Sequence, residues 1–225
     1  MKNISICSIL LSMIFSYNTG YSGIYFSDGF TLSATYSNQE EDGEGSNAIG
    51  LGFSYLSIEE ESNSLDRPTL SGIYEISGFY NHVDTNDGLA MEMLSIGMNY
   101  YMLNNLKFGF HYETLYDFSG QDVDTFESMG FNVDMEASSN IFSIGYYDNK
   151  SLPFLVFIDL MNLDTKLSMD VTSNNQPFLG MEDNANINLL RFGSGYKIDN
   201  LAIQAMVTMN EDKEKRYSIS AIFKL

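Results

Sequence analysis

His111 and Glu113 stand two residues apart. In an extended strand that spacing sets imidazole and carboxylate on one face, where the acid can orient the ring for general-base work. Ser95 and Ser143, read on neighbouring strands, would supply a hydroxyl nucleophile. His82 and Asp84 repeat the spacing near the outer end of another strand and would polarise a water. These are the chain's 2 histidines, so histidine-based hydrolysis of lipid or peptide must pass through one pair or the other. A structural role competes in both cases. His111 and Glu113 fall mid-strand among other charged residues, which suits an internal ion-pair network, and His82 has no further acids at a matching position. The expectation is a protein that is not an enzyme, with a hydrolase built on His111/Glu113 or His82/Asp84 as the lesser reading.

Charge is the second chemical signal. Asp and Glu number 30 against 11 Lys and Arg, a net charge of −19. Such a surface repels nucleic acid, which is excluded as a partner. The acids gather in segments 37–47, 118–139 and 163–185, read as long external connections. Asp134, Glu136, Asp164, Asp170, Glu182 and Asp183 are among them, and solvation is their expected role. Loosely bound divalent cations at these acidic loops, bridging lipid phosphates, are the alternative. Asp122-x-Asp124 followed by Glu127 is only a fragment of a calcium loop. No other cofactor is expected.

The elements that must position these residues are legible by alternation. Leu106, Phe108, Phe110, Tyr112 and Tyr116 oppose Lys107, Gly109, His111 and Glu113, greasy on one side and polar on the other. The same period of two marks Phe30–Tyr36, Ile49–Tyr55, Tyr74–Tyr80, Leu94–Met102, Phe142–Tyr146, Phe154–Leu160, Leu190–Ile198, Leu201–Met209 and Tyr217–Leu225. That gives ten strands, an even number that brings both ends of the wall to one side of a membrane. Short connections near Asn104-Asn105, 149–152 and Asp199-Asn200 alternate with the long ones. Segment 59–68 breaks the rule. Twelve strands result if Leu167, Met169 and Val171 form a separate wall strand, and eight is the other alternative. Tyr36, Tyr80, Tyr100, Tyr116, Tyr196 and Tyr217 recur near strand ends, as aromatic residues do at membrane interfaces. A soluble β-sandwich also alternates but needs no such bias. With the greasy face on lipid, the other face lines a lumen, and Glu75, Lys107, His111, Glu113, Asp159, Arg191 and Lys224 fall on it, where charge avoids hydrocarbon. Small neighbours such as Gly97, Gly109 and Gly145 leave room for water, while Tyr25, Phe79, Tyr101 and Phe157 are long enough to plug a narrow barrel.

At the N-terminus, Lys2, an apolar run from Ile4 to Phe15 and the small residues Gly20 and Ser22 form a secretory signal over 1–22, with cleavage before Gly23. The run of about 12 residues is too short to span a bilayer as a helix. Cys7, the 1 cysteine, would leave with the signal, so disulfides and thiol chemistry are excluded from the mature domain, 23–225. Tyr217 to Leu225 is expected to pair with the first strand and close the wall. With signal, strands and terminal strand together, the chain resembles the broad superfamily of small, porin-like bacterial outer-membrane β-barrel proteins. The resemblance implies an all-β, closed antiparallel up-and-down barrel in the bacterial outer membrane, touching its lipid and lipopolysaccharide. It also implies that Tyr217, Phe223 and Leu225 carry the signal read by the barrel-assembly machinery; the usual terminal Phe is Leu225 here. The expected function is a passive channel for small solutes with acidic external loops. The alternative is a structural or surface-binding barrel with an occluded lumen. Nothing in the sequence signals an oligomeric state.

Overall fold

The computed structural model describes residues 21–41, 44–58, 72–85, 88–102, 104–148, 154–174 and 176–225. Ten strands follow one another: β1 (Gly29–Glu41), β2 (Glu44–Ile58), β3 (Gly72–Thr85), β4 (Leu89–Met102), β5 (Leu106–Gly120), β6 (Phe131–Asp148), β7 (Phe154–Ser173), β8 (Gln176–Ile198), β9 (Leu201–Asn210) and β10 (Lys215–Lys224). Each pairs antiparallel with its sequence neighbour, and β1 pairs β10 from Thr31↔Lys224 to Glu40↔Lys215, so the sheet closes into a barrel. Closure leaves the wall without a sheet edge, the condition for crossing lipid with strands. Asn105 and Asp199 turn the β4–β5 and β8–β9 hairpins with φ of 72° and 50°, a left-handed conformation that Asn and Asp tolerate better than most residues.

The outer face carries Leu32, Leu51, Phe53, Ile76, Ile96, Phe110, Ile144, Ile158, Ile203 and Ile219, all exposed. Ring pairs Phe30–Tyr55, Tyr74–Tyr100 and Phe154–Tyr196, with centroids 4.9, 4.6 and 4.9 Å apart, band the end that holds the N-terminus of β1. Tyr36, Tyr112, Tyr116 and Tyr217 band the other. These are the two girdles of a bilayer-spanning wall.

One expectation changes and one alternative falls away. The long external connections are mostly strand: β1 and β2 reach Glu41 and Glu44, β5 reaches Gly120, β6 starts at Phe131, and β7 runs to Ser173 with β8 resuming at Gln176. The acids named above therefore ride on strands, except for Asp122, Asp124 and Glu127 on the helix α2 (Gln121–Ser128). Leu167, Met169 and Val171 continue β7 instead of forming a separate strand, so the count stays at ten. Segment 59–68 lies outside the described residues, as do 1–20.

The length of β7 and β8, 20 and 23 residues, explains the first change. About 10 tilted residues cross a bilayer, so both strands continue well beyond it. At the crossing point the two-residue period persists while its sign inverts. On β7, Val156, Ile158 and Leu160 are exposed outward and Asp159 is buried; above them Asp164 and Lys166 point outward and Met161, Leu163 and Leu167 are buried inward. On β4 Leu94 and Ile96 face out below, while Met91 and Met93 face in above. Above the lipid the outer solvent is water, so the apolar face turns to the axis as it would in a soluble barrel.

Candidate functional site in the barrel interior and its outer crown

Six of the seven charged residues assigned to the lumen are buried inside the barrel, and Lys224 lies at its N-terminal rim. Lys107 Nζ and Asp159 Oδ1 pair at 3.1 Å. Lys107 Nζ also sits 3.8 Å above the centre of the Tyr21 ring, and Arg191 donates to the Tyr21 hydroxyl and to Thr208 Oγ1, both at 3.0 Å. Glu75 Oε2 accepts from the Tyr101 hydroxyl at 2.5 Å and from Asn99 Nδ2 at 3.2 Å. Glu113 accepts from Asn81 Nδ2 at 3.2 Å. His111 Nε2 lies 3.2 Å from Asn99 Oδ1. The closed wall brings these groups together from β3, β4, β5, β7 and β8, which sequence order separates widely.

His111 and Glu113 are thus held by side-chain amides, with 0% and 1% exposure. A substrate has no access to them. His82 Nε2 and Asp84 Oδ1 do pair, at 3.3 Å, on the exposed outer face. Among the described residues no group of three or more His, Cys, Asp and Glu is placed to hold a metal.

Two further layers bracket the polar one. At the N-terminal end, Tyr21 to Phe26, including the short helix α1 (Ser22–Tyr25), is buried within the barrel. Tyr21 packs edge-on to Phe157 at 4.9 Å, Ser22 accepts from Thr31 Oγ1 at 2.8 Å, and Lys197 Nζ donates to the Tyr25 carbonyl at 2.8 Å. Leu56, Tyr101, Tyr147, Leu155 and Ile222 complete this plug. The expected cleavage before Gly23 falls within it. The sequence reading foresaw Tyr25, Tyr101 and Phe157 as plugging residues and missed Tyr21, because it lay inside the assigned signal. The outer layer is apolar: Val83, Leu89, Met91, Met93, Met135, Ile141, Met161, Leu163 and Leu189. Its alternation was legible at Leu163 to Val171, but the expectation that greasy meant lipid-facing hid it. A bulge between Glu92 and Met93 re-phases β5 above Leu115, so Tyr116 and Asp117 are both exposed and Phe118 packs inward on this layer.

Outside the bilayer the wall is uneven. β5 pairs β6 only as far as Thr114↔Ser138, and β8 pairs β9 only from Leu189↔Asn210. β6, β7 and β8 continue above those points as a three-stranded tongue, with pairs up to Phe131↔Ser173 and Ser173↔Gln176. An open cavity of about 540 Å³ begins between Thr114, Leu115, Met135 and Ala137, where β5 leaves β6, and reaches over the tongue's outer face to Lys166, Glu182 and Asn184. Asn162 Nδ2 donates to Asn186 and Asn188 on the tongue's outer face, at 2.8 and 3.0 Å.

No protein-family model and no curated protein matches the chain. Solved structures with a similar course include Neisserial surface protein A, 13% identical over 88% of this chain and 97% of that one, TM-score 0.39. The KdgM porin follows at 7% identity, 87% and 99% coverage and TM-score 0.37. The beta domain of the Bordetella autotransporter Brka stands at 10%, 89% and 100%, with TM-score 0.46. The closed wall, the apolar outer band and the two aromatic girdles give this chain the architecture of a membrane-spanning β-barrel.

Proposed function

We propose that the protein works as a closed surface barrel, whose filled interior stiffens the wall while the β6–β8 tongue presents a polar, acidic face outside the cell. The observation that carries this reading is burial of the lining. A water-filled pore leaves its wall residues wetted, yet Tyr101, His111, Glu113, Arg216 and Tyr21 are each at most 1% exposed to a water-sized probe. Room that Gly97 and Gly109 would leave is occupied by the His111 ring and the Asn99 amide. This burial favours the occluded alternative over the passive channel. Burial of His111 and the solvent-exposed position of the His82–Asp84 pair on the outer face, with Glu92 opposite His82, favour a non-enzymatic role. Tyr217 and Phe223 on the outer face of β10, and Leu225 just beyond it, stay exposed, which suits their recognition by the assembly machinery, and the crown's acids suit loose divalent-cation bridges to lipopolysaccharide.

Planar-bilayer recording of the refolded chain from Tyr21 to Leu225 tests the proposal. Silent membranes are the expected result, with folding verified by a heat-modifiable gel band. Reproducible unitary conductance from the folded band would overturn it.

A further inference from the structure

We infer that the upper edge of β8, residues 176–188, takes up a basic, extended peptide segment as an added antiparallel or parallel strand; this deepens the surface-barrel reading and rests on it. Above Leu189, among the described residues, β8 pairs only with β7. Its other side has no neighbouring strand, and although the Asn184 N–H donates to Asp183 Oδ1 at 2.8 Å, every described residue from Gln176 to Asn188 is exposed or half-exposed. Such an edge is a template for strand addition.

The tongue's second edge is not equivalent. β6 above Ser138 carries the helix α2 beside it, with Phe126 against Phe131 at 6.0 Å, and faces β5 across the 540 Å³ cavity. Met135 and Ala137 there are buried. The open edge is the one on β8, and its base is fixed by Asn188 Nδ2 donating to Glu211 Oε1 at 2.7 Å.

Charge selects the occupant. The tongue bears Asp134, Glu136, Asp164, Asp170, Glu182 and Asp183 against Lys166. A second copy pairing β8 to β8 would bring its own Glu182 and Asp183 against these carboxylates, and like charges on facing strands destabilise a pair. A strand carrying Lys or Arg at alternate positions meets carboxylates on Glu182 and Asp170, which lie on the outer face of the tongue. The backbone supplies generic affinity and the acids supply choice of partner.

The test uses the refolded barrel in phospholipid vesicles and a fluorescent peptide of alternating Lys and Val, with a Glu–Val peptide as control. Binding of the Lys–Val peptide, weakened about tenfold or more by Glu182→Lys with Asp183→Lys, and by high salt, is expected. Cysteines placed singly at Asn184 and Asn186 on β8, and at Glu136 on β6, then map the position by disulfide trapping of a peptide cysteine. Trapping on β8 in preference to β6 supports edge pairing. No binding at low salt, equal binding of the Glu–Val peptide, or equal trapping on both strands would overturn it. Failure here with silent bilayers leaves the closed-barrel reading standing, whereas conducting bilayers remove that reading whatever the peptide does.

Discussion

Substituting Asp159 by Asn would probe the filled interior most directly. Asp159 pairs with Lys107 at 3.1 Å, and each side chain is only 3% exposed. Arg191 stands opposite Asp159 on β8. The amide keeps the shape and removes the negative charge that both cations face. An uncompensated buried charge costs about 3–5 kcal/mol, and so little exposure leaves no solvent to relieve it. Taking about 1–3 kcal/mol/M for the urea dependence, the midpoint should fall by roughly 1–5 M. The assay is urea unfolding of the barrel in vesicles, read from the heat-modifiable band and tryptophan-independent far-UV signal. A double change, Lys107→Met with Asp159→Leu, removes both charges and their desolvation, and should lie within about 2 kcal/mol of the parent. A single Asn variant as stable as the parent would refute the reasoning, because it would mean that water reaches the pair. So would a double variant that loses the sum of the single losses.

Three more outcomes follow from the same geometry. Ile144→Arg, on the lipid-facing side of β6, should cost about 2–4 kcal/mol, whereas Asn186→Arg on the tongue's outer face should stay within about 0.5 kcal/mol; urea midpoints compare them. Gly145→Ala places a methyl against the Asp159 carboxylate, and the overpacking should cost about 1–3 kcal/mol by the same measurement. Asp28, outside the wall, accepts from Lys224 Nζ at 2.6 Å, and that hydrogen bond, with the charge of Lys224, holds its carboxyl below the ordinary 3.8. A lowered folded value means the stabilisation is present above the ordinary value and lost as pH falls through the lowered one. The β1–β10 seam should therefore weaken only below about pH 4, and Asp28→Asn should flatten that limb of the stability profile measured in low salt.

The wall was legible because lipid imposes a strict rule on it. Each strand that crosses the bilayer must show lipid an apolar side chain at every second residue, as Phe108, Phe110 and Tyr112 do, and the rule tolerates little noise. Interior residues were legible for the complementary reason, since charged Lys107, Asp159 and Arg191 had nowhere else to go. Pairings among them were not. Which acid meets which base depends on barrel stagger, and Glu75 finding Tyr101 and Asn99 is a property of the closed ring. The plug was only partly legible for a different reason: Tyr21 and Ser22 follow the apolar run Ile4 to Phe15 and fall within the assigned signal, and their contacts, Tyr21 with Phe157 and Arg191 and Ser22 with Thr31, exist only in the closed ring.

Sign inversion along β4, β6 and β7 ties the lumen to the crown. A strand crossing from lipid into water keeps its pleat, so each side chain's direction is fixed while the medium around the wall changes. Below Leu160 the cheaper exterior is apolar; above Met161 it is polar. The interior must change with it, from charged and hydrogen-bonded groups to Met and Leu, because neither face can bury unpaired charge or wet an apolar stripe without cost. On the β3–β8 side the upper interior is apolar, while Gln39, Ser46 and Arg216 keep it polar beside β1, β2 and β10; the apolar contacts hold β6, β7 and β8 upright beyond the point where β5 and β9 stop pairing with them. The same inversion that seals the barrel thus lifts the β8 edge clear of the membrane, where an incoming strand can reach it.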